Sequence, residues 1–270
     1  MAEADRKLAD DVINTKVLAL LREVIQRSCK QNKRDCVSRA LLYFLQRVAN
    51  TWVSIRTLRE RSPGERMFMV DAGTLLRAMF DAYLQAEYIV ADREKAIDRA
   101  SDYLEFEHVE RYKQVQRVLT HDNPLTRALK TSRRRPEGEK RINQEYERVR
   151  DRYAAGKKPG TPTGNRGRIR DQWYSGSLRD VAKSLGKESE YDLILGTFQG
   201  CVHSSAFAVQ FGPPTSPDYV MHWASTITAR VARVNVEYNG INLDEFNSMV
   251  LQKLCTAYFE GWTPPGEDTH

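Results

Sequence analysis

Cysteine is scarce in this chain. There are four, at Cys29, Cys36, Cys201 and Cys255, and none stands in a Cys-x-x-Cys pair. That spacing argues against a zinc knuckle or a thioredoxin-type redox site, and it leads us to expect reduced thiols in a cytoplasmic protein. Long apolar runs are missing too. No stretch approaches the ~20 residues a membrane-spanning helix needs, and the opening MAEADRKLADD lacks the apolar core of a secretory leader. No membrane partner is therefore expected. Alternating apolar and polar runs are absent, which argues against a sheet. GKKPGTPTGNRG (Gly156–Gly167) has its glycines and lysines in the wrong order for a phosphate-binding P-loop, and there is no nucleophile elbow.

What the chain does have is helical periodicity. Val37, Leu41, Leu45, Val48, Trp52 and Ile55 recur at three-, four- and seven-residue steps, and Ile13, Val17, Leu20, Leu21 and Val24 do the same. Start signals agree. Ser62-Pro-Gly-Glu65 and Ser177-Leu-Arg-Asp180 read as capping boxes, Asn123-Pro124 as a helix start, and Asn242-Leu-Asp-Glu245 as the start of a last helix stopped near Gly261 and Pro264-Pro265. The spacing predicts helices over about 5–31, 34–61, 63–91, 93–121, 137–154, 177–185, 189–210, 218–239 and 243–260. We read an all-α bundle of about eight or nine helices as one domain over 1–270. Its N-terminal helices cover 5–61, its core 62–121 and 172–211, and its C-terminal helices 218–260. The core is interrupted by a basic flexible insertion at 122–171, inside which 154–171 is too rich in glycine and proline for a regular element. The alternative is two bundles, one ending near 121 and one beginning near 172.

Charge is concentrated in that insertion. The chain carries +6 overall, and the segment Arg127–Arg170 alone carries +10, which leaves −4 elsewhere. Such a segment can draw a phosphate polyanion, with Arg133, Arg134, Arg135, Arg166 and Arg168 as the binding candidates. It can equally be a solvated insertion.

Two patterns mark a site. Residues 63–91 are apolar nearly all round, so this helix is expected at the bundle centre. Its polar residues Asp71, Thr74, Arg77, Asp81 and Gln85 nevertheless share one face, with Arg77 and Asp81 in i,i+4 reach. The second pattern is GTFQGCVHSSAF (Gly196–Phe207). There Gly196, Gly200 and Ser204 form a small-residue groove beside Gln199 and His203, and helical glycine costs about 1 kcal/mol relative to alanine. The groove admits a neighbouring backbone or a ligand, with packing inside the chain the simpler reading. We expect His203 to face Arg77 and Asp81 across a polar pocket. A carboxylate would set the ring's tautomer and raise its pKa, and Arg77 would supply fixed positive charge.

RAMFDAYL (Arg77–Leu84), WYSGSLRDVAKSLG (Trp173–Gly186) and YDLILGTFQGCVHSS (Tyr191–Ser205) together resemble an uncharacterised bacterial all-helical family of unknown function, over about Arg66–Phe211. Arg77, Trp173, Tyr191 and His203 match its pattern, and Asp81 stands where glutamate is usual. That family is similar to the HEPN superfamily, helical bundles found in toxins and phage-defence systems, many of them metal-independent ribonucleases with an arginine and a histidine in R-x4-6-H. No such spacing occurs here. Arg117 and His121 come nearest, with three residues between them, so Arg77 and His203 would have to meet in space.

The resemblance implies an RNA-binding or RNA-cleaving effector of phage defence or a toxin, with RNA, a second copy or a defence complex as partner. His203 would deprotonate a ribose 2′-hydroxyl, and Arg77 would stabilise the charge at phosphorus. Arg77, Asp81 and His203 are the catalytic candidates, with Thr74, Gln199, Ser204, Trp173 and Tyr191 as substrate contacts. The alternative is a non-catalytic interaction or ligand-sensing module in which Arg77, Asp81 and His203 form a structural polar network. Trp173 could stack on a base or anchor its loop. One Glu-x-x-His, at Glu105–His108, without a second copy does not build a di-iron bundle, so neither metal nor cofactor is expected.

Overall fold

The computed structural model describes residues 3–31, 35–61, 65–133, 136–154, 169–202 and 216–256, and these are helical almost throughout. They form ten α-helices: α1 (Glu3–Gln31), α2 (Cys36–Arg61), α3 (Glu65–Val90), α4 (Ala96–Thr120), α5 (Pro124–Arg133), α6 (Pro136–Val149), α7 (Leu178–Ser184), α8 (Glu188–Val202), α9 (Pro217–Asn239) and α10 (Glu245–Thr256). A 3-10 turn at Arg150–Tyr153 follows α6. The fold is all-α, and no described helix is long and apolar enough to cross a membrane.

Helix α5 begins where Asn123-Pro124 signals a start, although no helix over 124–133 was among those expected. Asn123 and Thr126 exchange two 3.0 Å bonds, Thr126 N to Asn123 Oδ1 and Asn123 N to Thr126 Oγ1. This closed reciprocal cap starts a helix inside the segment read as insertion. The last helix also begins later than Asn242. Asp244 is its cap, its carboxylate accepting from the Asn247 N–H at 2.7 Å. The Ser177–Asp180 box is present as expected, and α9 runs from an N-cap Ser216 to Gly240, whose φ of +60° suits a residue without a side chain. The signals at Ser62–Gly64, Gly261 and Pro264-Pro265 lie outside the described residues.

The chain divides into two compact units, one made of residues up to 96 and from 177 onward, the other of 97–176. In the first, α2, α3 and α9 pack on one another, α8 lies on α3, and α1 and α10 lie on α9. Helix α9 shares the centre with α3: every residue from Trp223 to Ala232 is buried. Its polar residues obscured this in the sequence, because several are satisfied internally. Thr228 Oγ1 donates to Ala224 O at 2.7 Å, and Ser225 Oγ accepts from the Trp52 indole at 3.0 Å. Helix α3 keeps Asp71 and Thr74 exposed. Gly73 lets α8 approach, since a Cβ there would collide with the Phe198 ring. Alanine would gain about 1 kcal/mol of helix propensity and lose about 1–3 kcal/mol to overpacking, so glycine is the better residue.

In the second unit the buried Tyr153 hydroxyl donates to Asp102 O at 2.8 Å, and its ring meets Phe106 edge-on. The stretch read as unable to hold a regular element is pinned at its feet by an antiparallel bridge between Ala154 and Ile169. The Arg170 N–H there donates to Tyr153 O at 2.8 Å.

Asp35 ties the start of α2 to the end of α9. Its carboxylate accepts from the N–H groups of Val37 and Ser38 at 3.1 Å each and from the Ser38 hydroxyl at 2.8 Å, and it is also bonded to Tyr238. Partial burial pushes its pKa up, but the Ser38 bonds and the others outweigh this and hold it below the ordinary carboxylate value. Because the folded pKa is depressed, the stabilisation is present above the unfolded value of about 3.9 and is lost as pH falls through the folded one. Asp35→Ala should cost about 1 kcal/mol at neutral pH. In urea unfolding, the gap between wild type and variant should close as pH drops below about 4.

Candidate functional site

Helix α3 presents Arg77 and Asp81 one turn apart, with Arg77 Nε 3.8 Å from Asp81 Oδ1. This is an ion-pair distance, longer than a hydrogen bond. Both atoms are shut off from solvent and neither has a hydrogen-bond partner, yet the side chains as wholes are 22% and 30% exposed. The pair lies at the solvent boundary.

Two other helices bring groups to it. Arg47 of α2 is near enough for its charge to act on Asp81. Tyr191 of α8, 8% exposed, feels the charges of both Arg77 and Asp81. Burial raises the Asp81 pKa, and the attraction of Arg77 and Arg47 offsets this only in part. Burial also raises the Tyr191 phenol, with Arg77 pulling it down and Asp81 pushing it further up. Gln85 Nε2 donates to Asp81 O at 3.2 Å. Two guanidinium groups, a carboxyl and a phenol thus converge from α2, α3 and α8. Such a set has the chemistry to hold an anion, with the arginines as donors and the carboxyl fixing the Arg77 guanidinium.

The remaining candidates fall elsewhere. Thr74 is exposed and bonds back to Val70 O at 3.3 Å. Gly196 opens onto free space, since a Cβ there would meet nothing within 4 Å, so the expected packing of the groove against another part of the chain is not made at this residue. Trp173 belongs to the second unit, 5% exposed, with its ring edge-on to Tyr103 at 5.7 Å and to Tyr174 at 5.3 Å. That is an anchor's packing and leaves no face for a base. Helix α8 contains Gln199, and Arg133 ends α5, but their side chains lie outside the described residues, as do His203, Ser204, Arg134, Arg135, Arg166 and Arg168 altogether. Glu105 pairs with Arg152 at 2.6 Å and Arg148 at 3.2 Å, while His108 faces Glu145 at 3.2 Å. Among the described residues no group of three or more His, Cys, Asp or Glu side chains could hold a metal ion.

Sequence reasoning missed a second polar cluster, behind Tyr191. Arg230 of α9 pairs with Glu190 of α8 at 2.7 Å, and Lys187 pairs with Glu87 of α3 at 3.4 Å. Both cations stand 5.7 Å from the centre of the buried Tyr83 ring. The available signal was Arg230 itself, a cation inside the apolar middle of α9 that had to find an acid. The cluster clamps the first turn of α8 onto α3 and α9, and Tyr191 is the next residue after Glu190.

A family model described as a family of unknown function (DUF5677) matches residues 38–211. The match contains Arg47, Arg77, Asp81 and Tyr191 and excludes α9 and α10. No curated protein and no solved structure matches the chain.

Removing Glu190 would strand Arg230, whose side chain is 7% exposed. Glu190→Ala should therefore cost about 3 kcal/mol in urea unfolding, whereas Glu190→Leu combined with Arg230→Met should recover most of that loss.

Proposed function

Because the chain belongs to the DUF5677 family, whose function is unknown, we propose its function from its own residues: it is a HEPN-like protein that binds RNA where α2, α3 and α8 meet. One observation carries this reading. Arg77 and Asp81 sit partly exposed as an ion pair at 3.8 Å, within electrostatic reach of Arg47 and Tyr191 on two other helices. Arg77 is the phosphate ligand, Arg47 adds a second positive charge, and Asp81 orients Arg77. The local positive charge and the similarity to HEPN bundles support a phosphodiester rather than a neutral ligand.

Cleavage is the finer part of the proposal. His203 takes the proton of a ribose 2′-hydroxyl, and that oxygen attacks the adjacent phosphorus. The bond from phosphorus to the 5′-oxygen breaks, and the 5′-oxygen leaves with a proton from solvent. The products are a 2′,3′-cyclic phosphate and a 5′-hydroxyl. Arg77 stabilises the charge that builds on the phosphorane oxygens. No metal enters the step. In a bacterial cytoplasm such an activity would suit a defence effector or a toxin.

A second reading has its own supporting observation. Asp81 already has Arg77 and Arg47 to balance its charge, as it would in a structural network or a non-catalytic sensor of a small anion. Two substitutions separate the readings. Arg77→Ala should weaken binding of single-stranded RNA about tenfold or more while Tm changes by only a few degrees. Asp81→Asn reads the electrostatics. The folded pKa of Asp81 is raised, so its contribution to stability is full below about pH 4 and is lost as pH rises through the folded value. At neutral pH Asp81→Asn should therefore keep or raise Tm while lowering RNA affinity or cleavage. A fall in Tm with both substitutions, and no RNA binding by the wild type, would favour the structural network.

A further inference from the structure

Helix α2 carries an exposed face that extends to both sides of Arg47. Arg39, Tyr43, Arg47, Asn50, Ser54, Thr57 and Arg61 follow steps of four, four, three, four, three and four, and every one is exposed. On a helix these positions fall within about 80° of arc and run for about 33 Å. Solvated helix faces usually mix both signs of charge. This face carries three arginines and no acid. The single acid of α2, Glu60, is paired with Arg56 at 2.9 Å. Arg47, near the middle of the row, is also the arginine that acts on Asp81, so the row runs directly into the site on α3.

The rest of the row has the chemistry of unpaired nucleotides. Tyr43 is 49% exposed, a flat ring turned toward solvent at the head of the row. Ser54 Oγ donates to Asn50 O at 3.0 Å and Thr57 Oγ1 to Val53 O at 2.9 Å. With their protons committed to the helix, both hydroxyls offer a partner an acceptor, which matches a donor such as the ribose 2′-hydroxyl. A ring that stacks a base, cations spaced for a backbone and acceptors for sugar hydroxyls fit a single strand better than a duplex, whose bases are already stacked.

We infer that the exposed arginine–tyrosine face of α2 is the track on which single-stranded RNA lies as it reaches Arg77. The inference rests on the RNA reading above and deepens it. It moves the principal backbone contacts from the basic segment at 122–171 to a helix of the first unit.

The test is binding of a fluorescein-labelled oligouridylate to the full chain across a salt series. Each phosphate neutralised on a single strand contributes about 0.7 to the slope of log affinity against log salt. Arg39→Gln, Arg47→Gln and Arg61→Gln combined should flatten that slope by about 2. Tyr43→Ala should weaken binding about fivefold or more with the slope unchanged. Should the triple variant fail to fold, Arg39→Gln and Arg61→Gln taken singly should each flatten the slope by about 0.7. If these variants bind like wild type while Arg77→Ala still weakens binding, the track is overturned and the RNA site stands. If wild type does not bind oligouridylate, or binds only vesicles of acidic lipid, both are overturned. Equal affinity for duplex and single-stranded RNA, with no effect of Tyr43→Ala, overturns the single-strand assignment.

Discussion

The pairing of Arg230 with Glu190 is the interaction on which the placement of the site depends. Arg230 lies in the stretch of α9 that is buried on every side, and a guanidinium there is tolerable only with a carboxylate in direct contact. Glu190 is in the first turn of α8, so satisfying the cation docks that turn. Lys187 and Glu87 repeat the device against α3, and Tyr83 fills the space between the two cations. Farther along α8, Phe198 settles over Gly73 and edge-on to Trp223. Held at both points, α8 has one register on α3, and Tyr191 arrives beside Arg77 and Asp81.

Several polar groups around α9 are matched, Ser225 with Trp52, Thr228 with its own helix and Arg230 with Glu190, while Thr226 Oγ1 and Asn235 Oδ1 of the same helix have no hydrogen-bond partner. On α3, Arg77 Nε and Asp81 Oδ1 stand 3.8 Å apart, an ion-pair rather than a hydrogen-bond distance. A carboxyl whose charged form is disfavoured by burial is a poor structural element, and stability alone gives little reason to keep it. The proposed site is placed on α3 because Arg77 and Asp81 are partly exposed there, whereas the Arg230 side chain in the cluster behind is 7% exposed.

The all-α class and most of the helices were legible from the sequence, and so were the Arg77–Asp81 pair and the Ser177–Asp180 cap. Each depends on residues three or four apart, and at that range helix geometry alone decides which side chains meet. Tyr191 could be named beforehand, although its neighbours could not. The central role of α9 was hidden because hydroxyls bonded inside a helix look polar in a sequence and behave as apolar in a core. Trp173 was ambiguous for a related reason: an indole reads the same whether it awaits a base or is wedged against Tyr103 and Tyr174.

The sequence by itself determined where helices start and stop, which faces are apolar, and that one polar row on α3 had to meet water, a ligand or other charges. Only the tertiary structure decided that Arg47 comes within electrostatic reach of Asp81, that Glu190 answers an arginine forty residues later, and that α9 is enclosed from Trp223 to Ala232. The reason is one of range. Capping and periodicity are settled within a turn of helix. Charge pairing between helices depends on how separately formed cylinders pack, and that choice is made by burial over the whole unit at once.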